Sequence, residues 1–297
     1  MKIFKAARAD FLPASVIPFF IGLSYALSRG FSLSLPKLIL GLTGVVAAHL
    51  SANLFNDYYD YKSGADNQSP KVSSFFGGSR AIQNGLFTEK EILRASFLFL
   101  FIAFFSLLGM FILTFDFFLV FFVSLALFLA VEYTAGPLKL AYNRMGEATI
   151  FLLFGVGLVM GSFYLFSGAL SFESFLISLP ISFLVAAVIL ANQVPDFDSD
   201  IKAGKRNLLS ITGVKSAYII YGFLILSSFV FLLLNIAIGS LSIYALLAGL
   251  IYLLAIPAFL NLKNNLADIN KLIQTSRLTL IQHSLVGASI IFILLIK

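Results

Sequence analysis

Cysteine and tryptophan are absent from the 297-residue chain, and charged residues make up only 11% of it. Without cysteine there is no disulfide framework, no thiolate zinc site and no thiol redox centre. A soluble globular chain carries about 25% charged residues, so this scarcity excludes an ordinary water-soluble enzyme. Polar low-complexity tracts are also missing: 34 Phe and a hydrophobic content of 60% exclude a disordered chain. The apolar residues come in long runs rather than strict alternation, which excludes an outer-membrane β-barrel. What remains is a polytopic, all-α membrane protein, read as a single transmembrane domain over 1–297.

A helix crossing about 30 Å of hydrocarbon needs roughly 20 apolar residues. The runs give nine transmembrane helices, at 11–27, 38–55, 92–113, 117–133, 150–166, 175–190, 217–236, 241–260 and 278–296. The apolar stretch 92–133 is too long for one span and is divided at Thr114-Phe115-Asp116; 217–260 is divided at Asn235 and Gly239-Ser240. The basic start of the chain precedes no small-residue cleavage site, so the first run reads as a retained helix. With the N-terminus cytoplasmic, all but Arg29, Lys37 and Lys297 of the 20 basic residues fall on inner segments. The positive-inside rule therefore sets the orientation in the cell membrane. A net charge of +6 and a pI near 9.4 then reflect inner loops facing anionic lipid and anionic substrates, not a nucleic-acid partner. All but Asp116 and Glu173 of the 14 acidic residues are also inner, and the two long polar loops, at about 58–91 and 195–216, lie on that side. The chemistry belongs to that face.

Two acidic clusters stand there. Asn53, Asn56, Asp57 and Asp60 follow i, i+3, i+4, i+7 spacing and share one helix face at the inner end of the second span. Asn192, Asp196 and Asp200 recur every four residues at the end of the sixth span, on one side if the helix continues past Pro195. Facing carboxylates at a membrane boundary repel unless neutralised. Mg²⁺ answers that need, because it binds one or two carboxylates together with water and the phosphate oxygens of a substrate. Two Asn-Asp helix ends facing each other suggest a site for Mg²⁺-bound diphosphate. Arg80, Lys139, Lys202, Lys205 and Arg206 lie in the same loops, where they could neutralise a departing diphosphate. His49, which shares the Asn53 face, and His283 read as structural intramembrane histidines.

The stretch from Asn56-Asp57 through Asp60 to Gly64-Ala-Asp66 resembles the first aspartate motif of the UbiA superfamily of intramembrane prenyltransferases. Asp196-Phe-Asp198-Ser-Asp200 with Lys202-Ala-Gly-Lys205-Arg206 resembles the second, and Tyr133 through Lys139 before Gly146-Glu147 resembles the segment after the fourth helix. The Gly64-Ala-Asp66 ending, Arg8 with Phe11 to Ser15, and Gly77-Gly78-Ser79-Arg80 are more like the 1,4-dihydroxy-2-naphthoate branch than the 4-hydroxybenzoate branch. Gly64 stands where many members of the superfamily carry a third aspartate.

The resemblance implies a helical bundle around a central cavity open sideways to lipid. It implies transfer of a polyprenyl group from polyprenyl diphosphate to an aromatic acceptor, the naphthoate of menaquinone biosynthesis, with loss of carbon dioxide. Asp57, Asp60, Asp196 and Asp200 are the implied Mg²⁺ ligands, with Asp66 and Asp198 as further candidates. Asn53, Asn56 and Asn192 orient them or touch phosphate; Lys139, Arg80 and Lys205 bind the diphosphate; Tyr133 stands near the reacting carbons; Arg206 supports loop closure. The same machinery serves 4-hydroxybenzoate, homogentisate and glycerol-lipid acceptors. A CDP-alcohol phosphotransferase is set aside because Tyr61, not glycine, follows Asp60. A secondary transporter would place such a site nearer the bilayer midplane.

Overall fold

The apolar runs fold as helices, and the polar breaks between them fold as caps. The computed structural model describes residues 2–66, 73 and 75–296; Lys71 and Lys297, which enter the charge distribution above, lie outside the described residues. The helices are α1 (Pro13–Ser28), α2 (Leu35–Ser63), α3 (Glu89–Thr114), α4 (Phe117–Val131), α5 (Gly146–Ser167), α6 (Phe172–Lys202), α7 (Ala217–Ala237), α8 (Ile243–Asn264) and α9 (Ile269–Leu295). Among the described residues eight candidate spans are long and apolar enough to cross a membrane, one of them the segment Ala9–Ser28 that ends in α1, and α4 is a shorter apolar helix. No strand is assigned among the described residues. The 114–116 break is a helix end in detail: Phe115 takes a left-handed φ of 50°, and Asp116 caps α4 by accepting from the Leu119 amide at 3.0 Å.

Two helices run past the membrane-length limit. α2 has 29 residues and reaches Ser63, and α6 has 31 and reaches Lys202, so both clusters lie on helix and not on the loops expected from 58 and from 195. The long loops are accordingly shorter, and the second is interrupted by the helical turn Leu209–Thr212. Helicity past Pro195 has a physical reason. A proline inside a helix has no N–H for the carbonyl four residues earlier. For Pro180 that carbonyl is Leu176, and the Asn235 side chain on α7 donates to it at 2.8 Å. For Pro195 it is Ala191, which receives a 3.5 Å contact from Ser276 Oγ on α9. Neighbouring helices thus supply the donors that the prolines removed, as membrane interiors require.

α6 is the most enclosed of the spans and packs against α5, α7 and α9. α1 packs against α5 and α9, and α2 against α3. Glycines let backbones meet: a Cβ on Gly22 of α1 would collide with the α5 backbone at Val159, and one on Gly155 of α5 with Ser182 of α6. Residues 151–157 of α5 are wound as a π-helix facing the same interior. α1 to α5 enclose an apolar cavity of about 360 Å³, lined among others by Phe19, Met110, Phe122, Leu129 and Phe154. It reaches Ser15, His49 and Ala52, one turn from Asn56.

Asn235→Ala should lower stability by about 1–3 kcal/mol, because it orphans a buried carbonyl. In a Pro180→Ala background the new amide can serve Leu176, so the same change should cost less. Thermal unfolding of the four proteins in detergent reads that coupling; equal costs in both backgrounds would refute the pairing.

Candidate active site

The end of α2 presents Asn56, Asp57 and Asp60, with both aspartates buried. Asp57 accepts from the Ser79 amide at 2.9 Å and from the Ser79 hydroxyl at 2.8 Å. Asp60 accepts from Asn56 at 3.0 Å, from the Tyr142 hydroxyl at 2.6 Å and from Lys205 Nζ at 3.0 Å. The end of α6 presents Asp196, which accepts from the Gly77 amide at 2.9 Å, and Asp200, 3.9 Å from the same Lys205 ammonium. Lys205 therefore bridges the two clusters, and the segment Gly77-Gly78-Ser79 ties into both.

Local backbone explains how these connections reach inward. Gly77 and Gly78 take φ of 78° and 70°, which turns the chain tightly enough to aim successive amides at Asp196 and Asp57. A Cβ on Gly78 would run into the Asp66 carboxylate, so only glycine fits there. Arg80 donates to the Asp66 carbonyl at 3.1 Å, and Arg8 to the Phe75 carbonyl at 3.2 Å. After α6, the Lys205 amide donates to the Asp200 carbonyl at 2.8 Å, and Arg206 pairs through its backbone with Tyr142 and Arg144. Glu147 accepts from the Leu208 amide at 2.9 Å and fixes the far side of that connection.

Asp66 lies inside the site, buried, with Oδ2 lacking a hydrogen-bond partner among the described residues. Burial, reinforced by the charge of Asp60, pushes its carboxyl up to about 8. Burial alone would lower the Lys205 ammonium, but Asp200 and Asp60 together carry it well above the usual lysine range. Burial also raises the Tyr133 and Tyr142 phenols, with the Asp60 charge adding to both, so each stays a neutral hydroxyl. Asn192, one turn before Asp196, keeps a buried Oδ1 with no partner among the described residues. Tyr133 lies beside Gly146, where a Cβ would come within 3.4 Å of its hydroxyl.

Several expected roles are redirected. Asn53 donates to the Ala7 carbonyl at 2.9 Å, so it anchors the N-terminal segment and does not orient an aspartate. Asp198 is exposed on the opposite side of α6 from Asp196 and Asp200, as a two-residue offset on a helix dictates. Lys139 is exposed, with no ion pair among the described residues, because its left-handed φ of 44° carries it to the rim of the turn. Arg206 is exposed and contributes through its backbone. Lys205, assigned to diphosphate, is engaged by carboxylates. Sequence reasoning missed Ser79 and Tyr142 as contacts of Asp57 and Asp60; Ser79 stands inside the quoted Gly77-Gly78-Ser79-Arg80 stretch, and Tyr142 carries no signal of its own. Among the described residues no three His, Cys, Asp or Glu side chains close around a single point that could hold an ion.

Residues 15–281 match the UbiA prenyltransferase family. A 1,4-dihydroxy-2-naphthoate octaprenyltransferase of Bacillus subtilis (strain 168) is 30% identical over 216 residues, 72% of this chain and 67% of that protein. A UbiA homolog from Aeropyrum pernix K1 in its apo form superposes with a TM-score of 0.71 at 19% identity, covering 93% of this chain and 97% of that one. A UbiA homolog from Archaeoglobus fulgidus bound to GPP and Mg²⁺ superposes at 0.61 with 16% identity, covering 98% and 99%. A match that takes in both carboxylate clusters and nearly all the helices makes this chain a member of the UbiA prenyltransferase family, and a prenyltransferase.

Proposed function

We propose that the chain transfers a polyprenyl group from a polyprenyl diphosphate to 1,4-dihydroxy-2-naphthoate, with Mg²⁺ held at the α2 and α6 carboxylates. The observation that carries this reading is the pairing of the two clusters: Lys205 stands 3.0 Å from Asp60 and 3.9 Å from Asp200, beside an apolar cavity of about 360 Å³. A cation already sits where two helix ends bring their carboxylates together. The residues fit a hard divalent cation, since the donors are all oxygens and Asp66 Oδ2 is buried without a partner. Mg²⁺ takes one or two carboxylates and completes its shell with water and phosphate, so a closed protein cage is not required.

Asp57, Asp60, Asp196 and Asp200 would hold the metal, with Asp66 beside them, and Asp198 drops out because it faces away. When bound, Mg²⁺ supplies the positive charge that stabilises the leaving diphosphate. Lys205 neutralises the carboxylates and stands where an entering diphosphate would meet them. Asn56 holds Asp60 in place, and Asn192 offers an amide oxygen with no partner among the described residues. The cavity takes the isoprenoid tail, and its aromatic faces shield developing positive charge at the allylic carbon. The naphthoate acceptor is supported by the name of the Bacillus relative, and Mg²⁺ by what the Archaeoglobus homolog binds. The concentration of basic residues at the same end of the bundle supports a cytoplasmic site and N-terminus.

Purified protein with Mg²⁺ and a labelled polyprenyl diphosphate should prenylate 1,4-dihydroxy-2-naphthoate and release carbon dioxide; transfer to 4-hydroxybenzoate instead would keep the reaction and replace the acceptor. Asp57→Ala and Asp196→Ala should each cut turnover by about 10²-fold or more while the protein stays folded, as loss of transition-state charge stabilisation does; near-normal rates in both would remove the metal assignment. The cysteine-free chain allows a clean orientation test. A membrane-impermeant maleimide on intact cells should label Ala169→Cys and spare Lys90→Cys, and the opposite pattern would invert the topology.

A further inference from the structure

The cavity wall is apolar almost throughout, yet one polar pair is built into it at the end nearest the carboxylates. His49 of α2 and Ser15 of α1 both line the cavity, and His49 Nδ1 lies 2.7 Å from Ser15 Oγ. The imidazole is 5% exposed and is steadied by the edge of Phe154, a π-helical residue of α5, with ring centroids 5.0 Å apart at 86°. Three helices thus converge to hold one ring in place.

One tautomer of the ring satisfies all of its neighbours. A serine hydroxyl has one proton. The Leu12 carbonyl, 3.1 Å from Ser15 Oγ, can only accept, so the arrangement that satisfies both contacts has Ser15 donating to Leu12 and His49 Nδ1–H donating to Ser15. In that arrangement Nε2 is the bare nitrogen, a hydrogen-bond acceptor on a residue that lines the cavity. An acceptor in an otherwise apolar wall is poorly served by hydrocarbon and well served by a ligand's donor.

Position says which ligand. His49 precedes Asp57 by eight residues, about 12 Å along the helix at 1.5 Å per residue. A diphosphate held at the carboxylates would occupy the end of that interval nearest Asp57, so a group facing His49 is one that meets the allylic carbon beyond it. The isoprenoid tail needs no polar contact, and neither does the diphosphate at this depth. The group that brings a hydroxyl donor to this point is the aromatic acceptor.

We propose that Ser15 and His49 form the acceptor subsite, with His49 Nε2 receiving the hydrogen bond of a ring hydroxyl and so fixing which ring carbon faces the allylic carbon. The inference rests on the prenyl-transfer reading above and assigns its acceptor a contact. Ser15 is the positioning residue, acting through the imidazole. It predicts discrimination: a ring hydroxyl satisfies Nε2, whereas a methyl ether at the same position has no proton to give and leaves the nitrogen unpaired.

The test uses the full-length protein with Mg²⁺, a polyprenyl diphosphate, 1,4-dihydroxy-2-naphthoate and its mono-O-methyl ethers. Wild type should bind one ether at least about tenfold more weakly than the dihydroxy compound. His49→Phe should raise the acceptor KM about tenfold or more and erase that preference, with the KM for prenyl diphosphate and the unfolding midpoint held within about twofold. His49→Gln, which keeps an acceptor atom, should recover most of the loss, and Ser15→Ala should show a smaller shift of the same kind. An unchanged acceptor KM in His49→Phe would overturn the subsite while leaving prenyl transfer intact. Parallel loss of both KM values and of stability in all three variants would show a structural staple and also overturn it. Failure of wild type to prenylate any acceptor would overturn the functional reading, and the subsite with it.

Discussion

The Lys205 ammonium, held between Asp60 and Asp200, is the contact on which the arrangement of the site depends. Both carboxylates are buried, they come from helices far apart in sequence, and each is turned toward the other. Removing one partner from such a buried set leaves an uncompensated charge and costs about 3–5 kcal/mol. That penalty is what keeps the ends of α2 and α6 in register. The same ammonium lies 5.6 Å from the Tyr142 ring, and Tyr142 in turn donates to Asp60, so the connection after α4 is pinned by the same charge. Three separate stretches of chain converge because one cation satisfies all of them.

The two halves of the site are held by different means. Asp57 and Asp196 are fixed by backbone amides and a hydroxyl from a single glycine turn, which is rigid and neutral. Asp60 and Asp200 share the charge of Lys205 and are held besides by neutral donors, Asn56 and Tyr142 on Asp60 and Asn207 on Asp200. One pair is therefore held by the neutral donors of one turn and the other by a charge that both of its members need.

Much of the bundle was legible in the sequence because lipid imposes a coarse rule: apolar runs of span length, broken by polar residues. The Thr114-Phe115-Asp116 break is an example, since Asp116 caps the very next helix. The candidate site was legible as two clusters because four-residue spacing puts aspartates on one helix face. What failed were statements that depended on partners distant in sequence. The continuation of α6 past Pro195 depends on Ser276, and the fate of Asn53 on the Ala7 carbonyl. Asp66 was already a candidate from its motif; what the motif does not show is that Gly78 leaves room for its carboxylate. His49 looked like a structural histidine, and only its cavity-lining position and its bond to Ser15 give it another reading.

α4 differs from its neighbours in length. Its 15 residues rise about 22 Å, well short of the 30 Å or so of hydrocarbon around it. Only Leu119 of this helix is fully buried, while Leu125, Leu127 and Leu129 line the cavity from a helix whose other faces meet lipid. Hydrophobic mismatch of this size draws the neighbouring bilayer thinner at that point. The cavity wall is therefore shortest along α4, the side on which least protein stands between the cavity and lipid.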